Sequence, residues 1–192
     1  MIIGITGGTG CGKSTLLREL EKVGAVVFDC DAIYHEMLKT DVSLLKAIEN
    51  RFPGTVENGI LQRKKLGNLV FSDKNALEDL NNITHAAVKA EVLRQLEGVS
   101  FGAIDAIGLF QSGLAEQCDI TVAVTAPLEQ RIQRLMNRED ISREYAESRI
   151  AAQPADSWFK NQCNYTLIND STVADFQSKC LAFFQESGII KV

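Results

Sequence analysis

A glycine-rich run near the beginning of the sequence combines the residue types that bind phosphate groups. Gly7, Gly12, Lys13 and Ser14 match the spacing G-x-x-x-x-G-K-[ST]. In such a loop the glycines let backbone N–H groups close around a polyphosphate, the lysine reaches the β- and γ-phosphates, and the serine hydroxyl ligates Mg²⁺. The run therefore predicts a nucleoside triphosphate site with Mg²⁺ on Ser14. The residues expected to contact the nucleotide in this loop are Gly8, Thr9, Gly10, Cys11, Gly12, Lys13, Ser14 and Thr15.

The segments on either side of the loop have the patterns needed to position it. Residues 2–6 form an apolar run typical of a strand, and the residues after the loop carry Leu16, Leu17 and Leu20 on one face of a predicted helix. A helix that begins at the loop places the bound anion at its N-terminus, where backbone N–H groups favour negative charge. The alternative is a glycine-rich turn that only connects a strand to a helix.

Two aspartates follow the next apolar segment. Residues 25–28 predict a short strand, and Asp29 and Asp31 come directly after it. In open α/β sheets, ligands gather at the carboxyl ends of strands, and a carboxylate facing the phosphate loop is the expected place for a general base. We therefore predict that Asp31 is the base. Asp31 also fits as the N-cap of a helix that begins at Ala32, and a purely structural role is the alternative for Asp29.

From residue 41 to residue 98 the apolar residues recur at helical spacing, and strand signals are absent. A helical segment of this length between two strands of a nucleotide-binding sheet indicates an insertion that covers a second substrate. Plain helical packing is the alternative explanation of the same periodicity. Arg63 and His85 are polar residues beside apolar ones in this segment, and both are candidates for contacting that substrate.

Three further strands and a closing helix are predicted in the second half of the chain. Residues 101–107 form a buried strand that contains Asp105, whose setting weakly resembles that of the aspartate that holds Mg²⁺ in P-loop enzymes. Residues 120–125 and 165–168 are the other two strands, and residues 173–184 form an amphipathic helix.

Arginines are concentrated between the last two strands. The helix after Pro127 carries Arg131, Arg134 and Arg138, and Ser142 begins a second helix. Arginines on the facing sides of two helices are typical of a lid that closes over phosphates, where guanidinium groups stabilise the transferring group. The alternative is a set of surface arginines paired with the acidic residues Glu139, Asp140 and Glu144.

The composition limits the class of protein. The 192 residues suffice for one core with a small inserted lid, and 45% apolar with 23% charged residues is ordinary for a globular protein. The net charge of −5 gives no global positive field for nucleic acid, and no apolar run reaches the length of a membrane span. Because no basic and apolar leader precedes the first strand, we expect a cytoplasmic protein without nucleic-acid or membrane partners. The sequence does not indicate an oligomeric state.

The five cysteines are scattered and contain no C-x-x-C pair, so neither a disulfide framework nor a zinc site is indicated. Cys11 lies within the phosphate loop and near a predicted helix N-terminus. Such a position favours the thiolate, which makes Cys11 a candidate for oxidation. The alternative is a small residue that the loop tolerates.

The order of these features resembles the dephospho-coenzyme A kinase family along almost the whole chain. The resemblance implies transfer of the γ-phosphoryl group of ATP to the 3′-hydroxyl of the ribose of dephospho-coenzyme A, the last step of coenzyme A synthesis. The stretches that carry the resemblance are residues 6–15, 27–31, 58–63 with Leu66, 83–85, 134–138, 149–153 and 165–169.

The resemblance also implies roles for single residues. Asp31 matches the carboxylate that acts on the hydroxyl, Arg63 and His85 match residues of the helical coenzyme A-binding region, and two arginines match lid residues. The catalytic residues so implied are Asp31, Lys13 and Arg138, the further nucleotide contacts are Arg134 and Asn169, and the substrate contacts are Asp31, Arg63 and His85.

The fold implied is an α/β P-loop kinase fold, with a five-stranded parallel sheet flanked by helices. We expect one domain over residues 1–192. Its core comprises about residues 1–40, 99–135 and 160–192, a helical insertion that binds coenzyme A comprises about 41–98, and a lid comprises about 136–159.

Two single positions and one short run depart from the family pattern. His35 stands where the family commonly has arginine, and Ala86 stands where a proline usually follows the histidine. The family's Pro-Leu-Leu-Phe-Glu run appears as Ile107-Gly-Leu-Phe-Gln111. All three concern the acceptor side.

The alternative functions are another small-molecule P-loop kinase, acting on a nucleoside or nucleotide, or a nucleotide-dependent switch. The sequence lacks the guanine-specifying N-K-x-D that a switch of the GTPase type would carry.

Overall fold

The structure is a computed structural model, and it describes residues 1–190. The strands are β1 (Ile2–Thr6), β2 (Val26–Asp29), β3 (Val56–Glu57), β4 (Ile60–Leu61), β5 (Gly102–Asp105), β6 (Ile120–Thr125) and β7 (Tyr165–Ile168). The helices are α1 (Lys13–Lys22), α2 (Cys30–Thr40), α3 (Val42–Arg51), α4 (Arg63–Val70), α5 (Lys74–Leu96), α6 (Leu128–Glu139), α7 (Arg143–Ala151), α8 (Asp156–Gln162) and α9 (Val173–Glu186).

Five of the strands form a parallel sheet in the order β2-β5-β1-β6-β7, which confirms the predicted fold class. The register pairs Ile5 of β1 with Asp105 of β5, and it pairs Thr125 of β6 with Ile168 of β7. The carboxyl ends of these strands therefore meet at one edge of the sheet. The loop that follows β1 begins at this edge, where ligands of open α/β sheets gather.

The main hydrophobic core lies between the sheet and the helices α1 and α9. Its buried side chains come from a central strand, from the leucine face of α1 and from the aromatic face of α9. They include Ile3, Ile5, Leu16, Leu20, Phe176 and Phe184, each at most 1% exposed. Burying one such side chain stabilises the fold by roughly 1.5–3 kcal/mol. The predicted strands over 120–125 and 165–168 and the helix beginning at Val173 are confirmed.

The contacts divide the chain into two compact units. One contains residues 1–28 and 99–110 and continues from Leu114 onward; the other contains Asp29–Gly98 and Gln111–Gly113. In the second unit the long helix α5 packs against α2, α3 and α4. The boundaries expected above for core, insertion and lid stay predictions, and residues 191–192 of the expected core lie outside the described residues.

The expected absence of strands between residues 41 and 98 is wrong. The short strands β3 and β4 form an antiparallel hairpin there. The two residues that join them, Asn58 and Gly59, have φ values of 51° and 76°, in the left-handed region. An Asn-Gly pair suits a two-residue hairpin turn because both residues tolerate positive φ. Each strand is only two residues long, so alternation of apolar and polar residues cannot reveal it.

One predicted strand is shorter than expected, and one predicted helix begins where it was expected. The strand expected over residues 101–107 spans only Gly102–Asp105, so Asp105 lies at its carboxyl end and not in its interior. The second arginine-rich helix begins as expected, because the Ser142 hydroxyl accepts a hydrogen bond from the backbone N–H of Tyr145 and caps α7.

Candidate active site

The predicted phosphate loop connects β1 to α1. Gly7, Gly10 and Gly12 have φ values of 136°, 76° and 98°, which side-chain-bearing residues rarely adopt. Gly12 is the N-cap of α1, and within the described chain no side chain caps this helix. The N-terminal backbone N–H groups of α1 are therefore available to an anion.

The glycines also allow other parts of the same unit to pack directly on the loop. A Cβ atom at Gly7 would collide with the backbone oxygen of Val124 in β6, and one at Gly12 would collide with the side-chain amide of Asn169. A Cβ at Gly8 would collide with the guanidinium of Arg131. The sequence pattern thus reflects close packing as well as the space that phosphates need.

Lys13 lies at the first turn of α1, and its side chain bends back over the loop. Its Nζ donates to the backbone oxygen of Gly7 at 3.0 Å and lies 3.9 Å from Oδ1 of Asp105. Both side chains are largely buried, with 13% and 16% of their surface exposed. Asp105 was not among the expected site residues, because its predicted position in the interior of a strand hid its place at the sheet edge.

Asn169 and Arg134, both expected nucleotide contacts, are hydrogen-bonded to the carbonyl oxygens of the loop. The amide nitrogen of Asn169 donates to the Cys11 oxygen at 2.9 Å. Arg134 donates to the Gly10 oxygen at 3.2 Å and to Oδ1 of Asn169 at 3.1 Å. These two side chains hold the second half of the loop against the ends of β7 and α6.

Arg138, an expected catalytic residue, is exposed at the end of α6. Its guanidinium pairs with Glu139, and Glu139 also pairs with Arg149 of α7. The Arg138 guanidinium holds the pKa of Glu139 below its usual range. This pairing agrees with the alternative in which Arg138 is a surface arginine paired with Glu139.

Two other side chains, Arg131 and Gln153, contact the loop directly, and neither was among the expected site residues. Arg131 is buried in α6, and its Nε donates to the backbone oxygen of Thr9 at 2.9 Å. The Oε1 of Gln153, just after α7, accepts from the backbone N–H of Thr9 at 2.7 Å. No local pattern distinguishes Arg131 from other helix arginines, because its burial depends on how α6 packs beside the loop.

Cys11 does not have the character expected of an oxidation-sensitive thiol. Its side chain is buried, with 1% of the residue exposed. Burial raises the pKa of the Cys11 thiol, and the nearby Arg131 charge lowers it only in part. The neutral thiol is therefore favoured, since desolvation is the largest influence on this pKa and disfavours the charged form.

The residues expected to bind the acceptor lie in the second compact unit, which is called the helical unit below. Asp29, not Asp31, caps α2: its Oδ1 accepts from the backbone N–H of Ala32 at 3.0 Å, and the helix begins at Cys30. The alternative of Asp31 as the N-cap is therefore wrong. Asp31 lies in the first turn of α2 with an exposed side chain, so its carboxylate is accessible to a substrate.

Arg63 begins α4 at the rim of a cavity of about 230 Å³ within the helical unit. Its Nη2 lies 3.5 Å from Nδ1 of His35 on α2. The remaining lining is mainly apolar, with Leu38, Leu61, Leu66, Val70, Phe71 and Leu80. His85 is half-buried on α5, where burial lowers its pKa and favours the neutral imidazole.

A parallel sheet whose central strand leads through a lysine-bearing phosphate loop into a helix defines a P-loop kinase fold. The chain belongs to the dephospho-CoA kinase family: the family model matches residues 1–175. It is 31% identical to the dephospho-CoA kinase of Lactobacillus johnsonii over 97% of this chain and 98% of that one. It is 34% identical to that of Dehalococcoides mccartyi over 92% of each chain.

Solved structures are also similar to this chain. TT1252 from Thermus thermophilus superposes with a TM-score of 0.80, at 31% identity and 97% coverage of each chain. The dephospho-CoA kinase of Campylobacter jejuni superposes with a TM-score of 0.67, at 26% identity and 98% coverage of each. A shikimate kinase from Acinetobacter baumannii shares the fold at 20% identity, with a TM-score of 0.58 and coverage of 98% and 95%.

The protein is therefore a kinase of coenzyme A biosynthesis that uses ATP. This finding favours the dephospho-CoA kinase interpretation over the other small-molecule kinases and the switch considered from the sequence. Among residues 1–190, no helix is both long and apolar enough to span a membrane.

Proposed function

We propose that this protein transfers the γ-phosphoryl group of ATP to the 3′-hydroxyl of dephospho-CoA. The observation that carries the proposal is the phosphate loop, in which Lys13 bends back to the Gly7 oxygen and α1 begins with uncapped N–H groups. In the reaction a bond forms between the 3′-oxygen and the γ-phosphorus. The bond from that phosphorus to the β-phosphate oxygen breaks, ADP leaves, and the hydroxyl proton passes to a carboxylate.

On the ATP side, the protein's task is to position and neutralise phosphates, because phosphoryl transfer passes through a loose transition state. The loop N–H groups and the Lys13 ammonium supply the positive charge. Arg134 and Asn169 keep the loop carbonyls turned away from the phosphates through the hydrogen bonds described above. Arg138, exposed and paired only at the surface, is proposed to leave Glu139 and contact the transferring group.

The oxygen donors near the loop fit a magnesium ion. Ser14 is exposed in the first turn of α1, and the Asp105 carboxylate lies at the adjacent strand end. Mg²⁺ is usually held by one or two protein oxygens together with substrate phosphates, so a larger acidic cluster is not needed. We propose that Ser14 ligates the ion and that Asp105 holds it through water. The ion would neutralise part of the negative charge of the phosphates.

On the acceptor side, we propose that Asp31 orients the 3′-hydroxyl and finally accepts its proton. Its exposed carboxylate at the start of α2 supports this role. Arg63 and the half-buried His85 are proposed to bind dephospho-CoA. The cavity at Arg63 combines a cationic side chain with a mainly apolar lining, which suits a molecule that joins a pyrophosphate to an uncharged arm.

We further propose that the helical segment of residues 41–98 binds dephospho-CoA and that residues 136–159 form the lid over ATP. A metabolic kinase that consumes ATP is expected to work in the cytoplasm, which is the location we propose.

An acceptor assay tests the proposed reaction. The purified protein is incubated with ATP, Mg²⁺ and dephospho-CoA, and coenzyme A is detected by mass, with its new phosphate located by NMR. We expect 3′-phosphorylated product that disappears when Mg²⁺ is chelated. Parallel reactions contain nucleosides, nucleotides or shikimate. Phosphorylation of one of these, with dephospho-CoA left unchanged, would contradict the proposal and favour a different small-molecule kinase.

A further inference from the structure

Thr9 differs from the other residues of the phosphate loop because side chains bind both of its backbone polar groups. Its carbonyl oxygen accepts from Nε of Arg131 at 2.9 Å, and its N–H donates to Oε1 of Gln153 at 2.7 Å. The two side chains come from different places, one from the interior of α6 and the other from the end of α7. The conformation of Thr9 therefore depends on both of these segments.

Arg131 is itself held by a second contact. Its Nη1 donates to Oδ1 of Asp156 at 2.9 Å, at the first residue of α8. Only 6% of the Arg131 side chain is exposed, compared with 29% for Asp156. Its Nη2 is buried with no hydrogen-bond partner among the described residues, and it lies against the backbone of Gly8. A guanidinium that is always charged is thus enclosed directly behind the loop.

This part of the loop lies at the end where the β- and γ-phosphates are expected. Lys13 reaches these phosphates in loops of this type, and its Nζ lies 3.0 Å from the oxygen of Gly7, two residues before Thr9. A change in the backbone of Gly8 or Thr9 would therefore alter the γ-phosphate position more than the α-phosphate position.

We propose that Arg131 and Gln153 are positioning residues that hold Thr9 in the conformation that the γ-phosphate of ATP requires. They act through the backbone of the loop, and neither needs to touch the substrate. Gln153, just after α7, binds Thr9 directly, whereas Asp156 of α8 is connected to Thr9 through Arg131. This inference rests on the proposed ATP site and adds two residues to it.

Nucleotide binding to folded variants tests the inference. The first variant, Arg131→Met, removes the Nε and Nη1 donors and keeps an unbranched side chain. The second variant, Gln153→Leu, removes the Oε1 acceptor of the Thr9 N–H. Ile132→Val is the matched control, since Ile132 is buried in the same helix and packs in the small core of α6 and α7. Thermal unfolding measures stability, and calorimetric titration measures the dissociation constants of ATP and ADP.

We expect both variants to bind ATP about tenfold more weakly while ADP affinity changes less than about twofold, because misplacement of the loop chiefly affects the γ-phosphate. kcat should fall by about tenfold or more with the KM for dephospho-CoA unchanged. Arg131→Lys, which keeps the charge but replaces the planar guanidinium by a single ammonium group, should be intermediate. The control should lower only the unfolding temperature.

Equal losses of ATP and ADP affinity, or a loss of stability without any change in nucleotide binding, would overturn the inference and leave Arg131 and Gln153 with a structural role. If Arg131→Met does not fold, Gln153→Leu decides the question alone, because Gln153 lies outside the buried core. A wild-type protein that binds ATP but forms no coenzyme A would contradict the proposed acceptor. The nucleotide titrations would still decide the role of these two residues.

Discussion

The side-chain amide nitrogen of Asn169 donates to the backbone oxygen of Cys11 at 2.9 Å, across 158 positions of the sequence. The backbone N–H of Asn169 also donates to the Thr125 oxygen at 2.8 Å, which joins it to the end of β6. Asn169 is 6% exposed, so the bond is shielded from water. The last strand of the sheet thus ends in a residue that supports the phosphate loop, and we infer that the shape of the loop depends on the sheet edge as well as on its glycines.

Replacing Asn169 by alanine should weaken ATP binding by about tenfold, because a lost buried hydrogen bond costs about 1–3 kcal/mol and the Cys11 carbonyl then keeps only the longer contact from Arg134, at 3.5 Å. Asn164→Ala is the matched control. Asn164 makes similar hydrogen bonds to Thr121, but it precedes β7 at the other end of the strand. Titration of ATP into both folded variants compares them, and equal weakening would show that the Asn169 contact to the loop has no special role.

Lys13→Ala should lower kcat by about 10²-fold or more with the fold intact, since the ammonium is the loop's own cation for the β- and γ-phosphates. Lys22→Ala, at the far end of α1, removes a lysine that pairs with Glu19 and should leave kcat unchanged. Steady-state coenzyme A formation and circular dichroism measure the two effects. A Lys13→Ala enzyme with near-normal turnover would contradict the assignment of the phosphate site.

Substitutions of Asp29 and Asp31 should have different effects, because Asp29 has a structural role and Asp31 is the proposed catalytic residue. Asp29→Ala removes the N-cap of α2 and should cost about 1 kcal/mol of stability, a fall of about 2–4 °C in unfolding temperature. Asp31→Asn should leave stability unchanged and lower kcat by about 10²-fold, because the carboxylate that accepts the proton is lost. Calorimetry and turnover measured on both variants test this. If Asp31→Asn lost ATP affinity and kept its turnover, Asp31 would have a metal-binding or structural role.

The elements predicted correctly from the sequence are those specified by local patterns. The strand Ile120–Thr125 is a run of β-branched residues, and the helix beginning at Val173 has an apolar face and a Thr172–Asp175 capping box. The hairpin β3–β4 was missed because its strands have two residues each. The Asn58-Gly59 pair between them was a sufficient turn signal, and it could have been used.

The arginines of α6 show why the candidate site was harder to predict than the fold. Arg131, Arg134 and Arg138 belong to one helix, but the structure buries the first, half-buries the second and exposes the third. The spacing of the three arginines shows on which sides of α6 their side chains lie. It does not show which side of the helix faces the phosphate loop, because that depends on how β6 positions the start of α6. Family resemblance identified Arg134 and Arg138 by position and gave no indication of Arg131.

The Cys11 thiol should react slowly with alkylating reagents, and its reaction should depend on pH in a defined direction. Burial raises the pKa of Cys11, so at any pH below that value its thiolate fraction is smaller than that of a free cysteine with a pKa of about 8.5. Because the thiolate is the nucleophile, the rate with iodoacetamide at pH 7.5 should be below that of glutathione. It should still be rising above pH 9, where the glutathione rate levels off. Mass spectrometry of the modified peptide isolates Cys11 from the other four thiols, and the same peptide in denatured protein is the control. A rate that reaches its plateau below pH 8 would mean that the helix N-terminus and the Arg131 charge outweigh desolvation, and that Cys11 is a reactive thiol after all.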